Sequence, residues 1–204
     1  MDGDILPLPR FLDICRRHDA FSMVDEAHAL GVVGLTGHGL SELFGCGHPD
    51  IMMGTLSKAL GSQGGYVAGS AAIVEYLRQR SRPFIFNTAP CAAAMAGADA
   101  ALSILESEPS LVERLRENVR FFVDELAHHG LSVSTDSAIV PIIVGDEERA
   151  VACSSKLAKA GFAISAIRYP TVAKGSARLR VAVSSAHSRE ALASAASAIA
   201  SVFR

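Results

Sequence analysis

Short apolar runs that stop at chemically loaded residues alternate along this chain with helix-patterned stretches. Residues 21–24 end at the acidic pair Asp25-Glu26, and residues 51–55 end just before Lys58 and the turn Gly61-Ser-Gln-Gly-Gly65. Residues 66–68 form a third run. Such runs read as buried parallel strands whose C-terminal ends line a ligand crevice. Helical spacing is expected over 8–17, 70–80, 90–106, 110–129, 147–160 and 188–203. Further strands are expected over 84–86, 139–144, 163–167 and 178–183. Residues 31–47 carry six glycines and read as a long loop. The alternation specifies an α/β fold with a mainly parallel sheet in the first half. Residues 1–129 are expected to form one domain, with the two long helices at its end as connectors, and residues 130–204 a smaller α/β domain.

Charge and composition exclude several functions. Lys+Arg 19 against Asp+Glu 21 gives a net charge of −2, so no basic surplus is available for a phosphate backbone. A hydrophobic content of 50% with 20% charged residues supports a packed core and argues against disorder. No apolar run reaches the roughly 18 residues of a membrane span. The acidic start Met-Asp-Gly-Asp has no secretory pattern. Cys15, Cys46, Cys91 and Cys153 are scattered and fit reduced thiols in a cytoplasmic protein rather than a disulfide frame or metal site.

Lysine is rare: Lys58, Lys156, Lys159 and Lys174 are the whole set. Lys58 lies between an apolar run and a glycine-rich turn, where desolvation would make an amine nucleophilic toward a carbonyl. Thr55 and Ser57 place hydroxyls beside it that suit a phosphate. Asp25 at a buried strand end can hold a carboxylate against a protonated ring nitrogen, the electronic partner that pyridoxal phosphate needs. His28, three residues on, can donate to a phenolic oxygen. The string Asp-Glu-Ala-His also ends a strand in nucleotide-driven helicases, but that reading needs an upstream G-x-x-x-x-G-K-[ST] loop, and the sequence has none. Arg178 and Arg180 alternate on one strand and share a face, so one of them can be merely salt-bridged.

The stretches MDGDILPLP, MVDEAHALGVVGLTGHG, GTLSKALGSQGGYVAG, RPFIFNTAP, IVPIIVGDEERA and AIRYPTVAKGSARLRVAVSSAH, in this order, resemble the α-oxoamine synthase family. The resemblance implies the fold-type I, aspartate aminotransferase-like architecture of pyridoxal-phosphate enzymes, as part of a large domain plus a small one. It implies a condensation of an amino acid with an acyl thioester, on CoA or an acyl-carrier protein, with loss of carbon dioxide. The quoted segments tilt toward the biotin-pathway branch, which joins L-alanine to a pimeloyl thioester. Glycine C-acetyltransferase and 5-aminolevulinate synthase remain rivals, as does a catalytically inactive remnant. By the same resemblance Lys58 is the Schiff-base lysine, Asp25 the partner of the ring nitrogen, His28 the neighbour of the phenolic oxygen and Thr55 a phosphate ligand. Thr88 reaches the phosphate of the other subunit, implying a homodimer with shared sites, and Arg180 holds the amino-acid carboxylate. Family chains are longer, and the side chain that stacks on the cofactor ring lies upstream of the part matched here.

Overall fold

A computed structural model describes residues 1–203. The chain divides into two compact units, residues Leu6–Val112 and residues Met1–Ile5 with Glu113 onward. The first unit runs α1 (Leu8–Arg17), β1 (Met23–Asp25), α2 (Leu40–Phe44), β2 (Ile51–Thr55), β3 (Gly65–Gly69), α3 (Ala71–Arg80), α4 (Arg82–Ile85) and α5 (Ala92–Ser107). The second holds most of α6 (Ser110–His128), then β4 (Ile139–Gly145), α7 (Glu147–Lys159), β5 (Ser165–Ile167), β6 (Ala177–Ala182) and α8 (Arg189–Phe203).

The first sheet has the order β1-β2-β3. Its β1–β2 pair is parallel, with Met23 beside Ile51 and Asp25 beside Met53. Its β2–β3 pair is antiparallel, with Gly54 beside Tyr66 and Thr55 beside Gly65. The sheet is thus mixed rather than mainly parallel. A parallel return needs a crossover of about a dozen residues or more, and residues 56–64 are too few for one.

Ser22 and Asp50 set the parallel register. The Ser22 amide and hydroxyl both donate to Asp50 Oδ2, at 2.8 and 2.6 Å, and the same hydroxyl accepts the Asp50 N–H at 2.9 Å. The Ile51 N–H then reaches the Ser22 carbonyl at 3.0 Å and starts the ladder. These donors hold the Asp50 carboxyl below the usual carboxylate range. A depressed folded-state value means the stabilisation is present above the ordinary aspartate value and lost as pH falls through the folded one. Ser22→Ala should therefore lower Tm by a few degrees at pH 7, and the deficit should shrink below about pH 4. Thermal melts at pH 7 and pH 3 check this; a deficit that does not change with pH removes the clamp.

Helix ends follow local chemistry. Ser70 caps α3 by accepting the Ile73 N–H at 3.4 Å, and Asp146 caps α7 by accepting the Arg149 N–H at 2.7 Å. Gly130, just past α6, has φ +86°, the left-handed stop that glycine allows. Two expectations fail. Residues 84–86 do not form a strand: Pro83 lies in the first turn of α4, where its missing N–H costs nothing. The glycine-rich stretch 31–47 is not wholly loop, because α2 sits inside it. Carboxylates organise that stretch: Glu42 accepts the Thr36 amide and hydroxyl at 2.9 and 2.7 Å and the His38 amide at 2.9 Å.

In the second unit β6 is the central strand of an antiparallel sheet ordered β4-β6-β5. Val140, Ile142, Leu179 and Val181 alternate on its buried face, and α7 packs on the sheet through Ala150, Cys153 and Leu157. The unit takes up α6 from Glu113, earlier than the division expected near residue 130. The cause is local. Phe122 and Leu126 are fully buried, the Asn118 side-chain amide donates to the carbonyls of Ser184 and His187 at 3.0 and 2.9 Å, and Arg189 lies over the Phe121 ring at 4.5 Å. From Glu113 onward α6 therefore packs within the second unit.

Candidate active site

Four of the expected residues, Asp25, His28, Thr55 and Lys58, lie at or just beyond the C-terminal ends of β1 and β2. Side chains two apart on a strand share a face. Asp25 and Met53 stand side by side, so Asp25 and Thr55 lie on the same face of the first sheet. Asp25 is exposed, and its Oδ1 accepts the Ala27 N–H at 2.8 Å, which bends the chain off the strand into the turn that carries His28. His28 is exposed at the middle of that turn, which closes with the Ala29 N–H on the Glu26 carbonyl at 2.9 Å.

Lys58 sits in a loop tied shut from both sides. The Leu56 N–H reaches the Gly64 carbonyl at 3.0 Å, the Ser62 N–H the Leu56 carbonyl at 2.8 Å, and the Gly61 N–H the Lys58 carbonyl at 3.0 Å. Gly61 and Gly64 take φ of +58° and +113°, which the tight path requires. Thr55 Oγ1 donates to the Gly64 carbonyl at 3.0 Å and lies 2.8 Å from Ser57 Oγ, so two hydroxyls are held together at the strand end. The Ser62 hydroxyl pins the loop to the Ala94 carbonyl of α5 at 2.5 Å.

The desolvation expected at Lys58 is not present: the residue is exposed, on an open sheet end. What the fold supplies is a fixed backbone position, not a dry cavity. A cleft lined in part by Leu12, Cys15, Phe21, His48 and Asp50 lies elsewhere and contains none of the candidate residues. The face of Asp25 carries exposed apolar neighbours, with Met23 at 55% and Val67 at 39% exposure.

The other two candidates are carried by other elements. Thr88 is exposed in the irregular segment after α4, its amide held by Asn87 Oδ1 at 2.9 Å. Arg180 belongs to the second unit, on β6 between Pro141 and Ser165, and is half-buried. Arg178, on the same face, is ion-paired to Asp2, and its Nε and Nη2 donate to the Ser176 carbonyl at 3.1 and 2.9 Å.

One residue that carried no sequence signal stands out. Glu26 is 3% exposed. Carrying the β1–β2 register one residue further puts it beside Gly54 on the face opposite Asp25, in a row with Tyr66. Burial pushes its carboxyl up from the ordinary glutamate value, against the Leu40 amide and the charge of His48, which act the other way. Burial and the Glu26 charge together raise the Tyr66 phenol. Among the described residues no cluster of His, Cys, Asp and Glu is arranged to hold a metal, and no helix is long and apolar enough to cross a membrane.

Comparison with known proteins gives this geometry a context. Residues 1–199 match the family model described as aminotransferase class I and II. A putative 8-amino-7-oxononanoate synthase of Desulfovibrio desulfuricans is 47% identical over 198 residues, covering 96% of this chain and 52% of its own length. A serine palmitoyltransferase variant from S. paucimobilis, solved with PLP-myriocin bound, superposes with a TM-score of 0.92 at 29% identity, over 100% of this chain and 52% of that one. An 8-amino-7-oxononanoate synthase from Francisella tularensis superposes with a TM-score of 0.82 at 30% identity, over 98% and 59% respectively. The chain spans about half the length of the curated relatives it matches.

Proposed function

The chain belongs to the aminotransferase class I and II family, and from that premise we propose that it acts as a pyridoxal-phosphate-dependent acyltransferase of the α-oxoamine synthase kind. The reaction is the decarboxylative condensation of L-alanine with a pimeloyl thioester to give 8-amino-7-oxononanoate. The observation that carries the reading is the placement of Asp25 and Thr55 on one sheet face, with Lys58 in a hydrogen-bonded loop at the end of the same strand as Thr55. The name shared by the curated relatives favours this acyl acceptor and donor.

The donor set fits the cofactor. A carboxylate, an imidazole, a primary amine and two adjacent hydroxyls match in turn its ring nitrogen, phenolic oxygen, aldehyde and phosphate. When bound, pyridoxal phosphate supplies an aldehyde that takes up the amino group and a ring that delocalises the electron pair left at the α-carbon. Lys58 is the attachment amine and, once released, the base that moves the α-proton. Asp25 favours the protonated ring nitrogen, and His28 donates to the phenolic oxygen. Thr55 and Ser57 donate to phosphate. Arg180 holds the amino-acid carboxylate by charge-assisted, bidentate bonds, the role that the family resemblance gives it. Thr88 serves the phosphate of a second subunit, and the neighbouring Phe84 and Phe86, 65% and 75% exposed, are the apolar surface that such a subunit covers.

Borohydride reduction of the cofactor-loaded protein, followed by digestion and mass spectrometry, tests the reading. The pyridoxyl mass should map to the peptide containing Lys58. The chain has only three other lysines, and a label on one of them, or on none, overturns the proposal.

A further inference from the structure

Glu26 makes contacts in three directions. Its N–H donates to the Met53 carbonyl at 2.7 Å, extending the β1–β2 ladder. Its carbonyl accepts the N–H groups of Ala29 and Leu30, at 2.9 and 3.3 Å, closing the turn that carries His28. Its carboxyl Oε2 accepts the Leu40 N–H at 3.2 Å, at the end of the glycine-rich loop. The approach of that loop is so close that a Cβ built on Gly39, whose φ is +88°, would stand 1.8 Å from Oε2. Only glycine admits both the backbone angle and the contact.

The row across the sheet is equally tight. A Cβ on Gly54 would meet the Tyr66 ring at 2.5 Å, so the ring covers Gly54 on the side where Glu26 lies. Glu26 Oε1 is buried with no hydrogen-bond partner among the described residues. A carboxyl buried with one oxygen unpartnered is a poor way to fill space, since an apolar side chain avoids the desolvation cost. Its return here is geometric. Asp25 precedes it on the open face and His28 follows it in the turn. Backbone bonds also join this region to the loop, the Gly31 N–H to the Gly37 carbonyl at 2.7 Å and the Gly39 N–H to the Val33 carbonyl at 2.9 Å, and the Glu26 carboxyl adds a side-chain tie at Leu40.

We propose that Glu26 is a positioning residue: its carboxyl clamps the Asp25–His28 turn to the Leu40 amide and so fixes where the imidazole stands relative to the Asp25 carboxylate. The clamp is a statement about the cofactor-free chain. Its effect on pyridoxal phosphate rests on the function proposed above.

The test compares Glu26→Ala, Glu26→Gln and Gly39→Ala in the full protein, by amide hydrogen exchange without cofactor and by titration with pyridoxal phosphate. Glu26→Ala removes the acceptor of a buried N–H, and exchange at Ala29, Leu30 and Leu40 should rise about tenfold, with cofactor affinity falling by a similar factor. Exchange at Leu179 and Val181 in the second unit should not move. Glu26→Gln keeps a carbonyl oxygen for Leu40 and should restore both readouts to within about twofold of wild type. Gly39→Ala displaces the carboxyl and should reproduce the exchange pattern of Glu26→Ala, which keeps the test decisive if the Ala variant at 26 does not fold. Unchanged exchange at Ala29 and Leu30 in the Ala variants, or a Gln variant as impaired as Ala, overturns the clamp. A wild-type protein that binds no pyridoxal phosphate rejects the cofactor reading, and the exchange data still decide the role of Glu26.

Discussion

Lys58→Ala is expected to lower kcat by about 10³–10⁴-fold under the proposed function, in which Lys58 is both the attachment amine and the base that carries the α-proton. The same change should barely alter Tm. Lys58 is exposed, and its loop is held by backbone bonds and by the Ser62 and Thr55 hydroxyls rather than by the lysine side chain. Surface truncations of this kind usually stay within about 0.5 kcal/mol. The pairing of outcomes is the informative part. A large loss of turnover with an unchanged melt assigns Lys58 to chemistry. A variant that keeps more than a tenth of wild-type turnover takes Lys58 out of its role, and a comparable loss of turnover together with Tm makes it structural. Lys58→Arg should not rescue, since a guanidinium remains protonated and neither attacks the carbonyl nor accepts the α-proton.

The residues that made this argument possible were legible in the sequence because they sit at strand ends. Asp25, Thr55 and Lys58 each follow a short apolar run, and a strand end has one position in the fold whatever surrounds it. The same local logic gave α1, β2, α3 and α7. What was not legible depends on distant chain. The burial of Glu26 requires the backbone at Gly39 and Leu40 to fold back on it, and no local pattern announces that. α2 is stabilised by a glycine-rich loop whose amides are gathered by Glu42, so a count of glycines alone reads as loop. The apolar run 84–86 has strand composition, and Pro83 in a first helical turn overrides it. The antiparallel β3 was in principle readable from the shortness of residues 56–64. Choosing between Arg178 and Arg180 was not readable, because the partner that engages Arg178 is Asp2, at the other end of the sequence.

That last distinction carries the second large effect. Arg180→Ala should raise KM for the amino acid by about 10–100-fold, since charge-assisted hydrogen bonds to a carboxylate contribute roughly 1.5–3 kcal/mol each. KM for the acyl thioester should change less than about threefold, because that substrate presents no α-carboxylate to this side chain. Arg180→Lys should fall between, keeping the charge and losing the planar fork. Arg178→Ala is the control on the same strand and face. It breaks a largely buried ion pair and abandons the Asp2 carboxylate, so it should lower Tm while leaving the amino-acid KM near wild type. If the two substitutions act alike, with falling Tm and equal effects on both substrates, the arginine pair is a stabilising feature of β6 and the carboxylate contact belongs to some other residue. If they separate as described, two identical side chains two positions apart do different work, Arg178 in the ion pair with Asp2 and Arg180 at the amino-acid carboxylate.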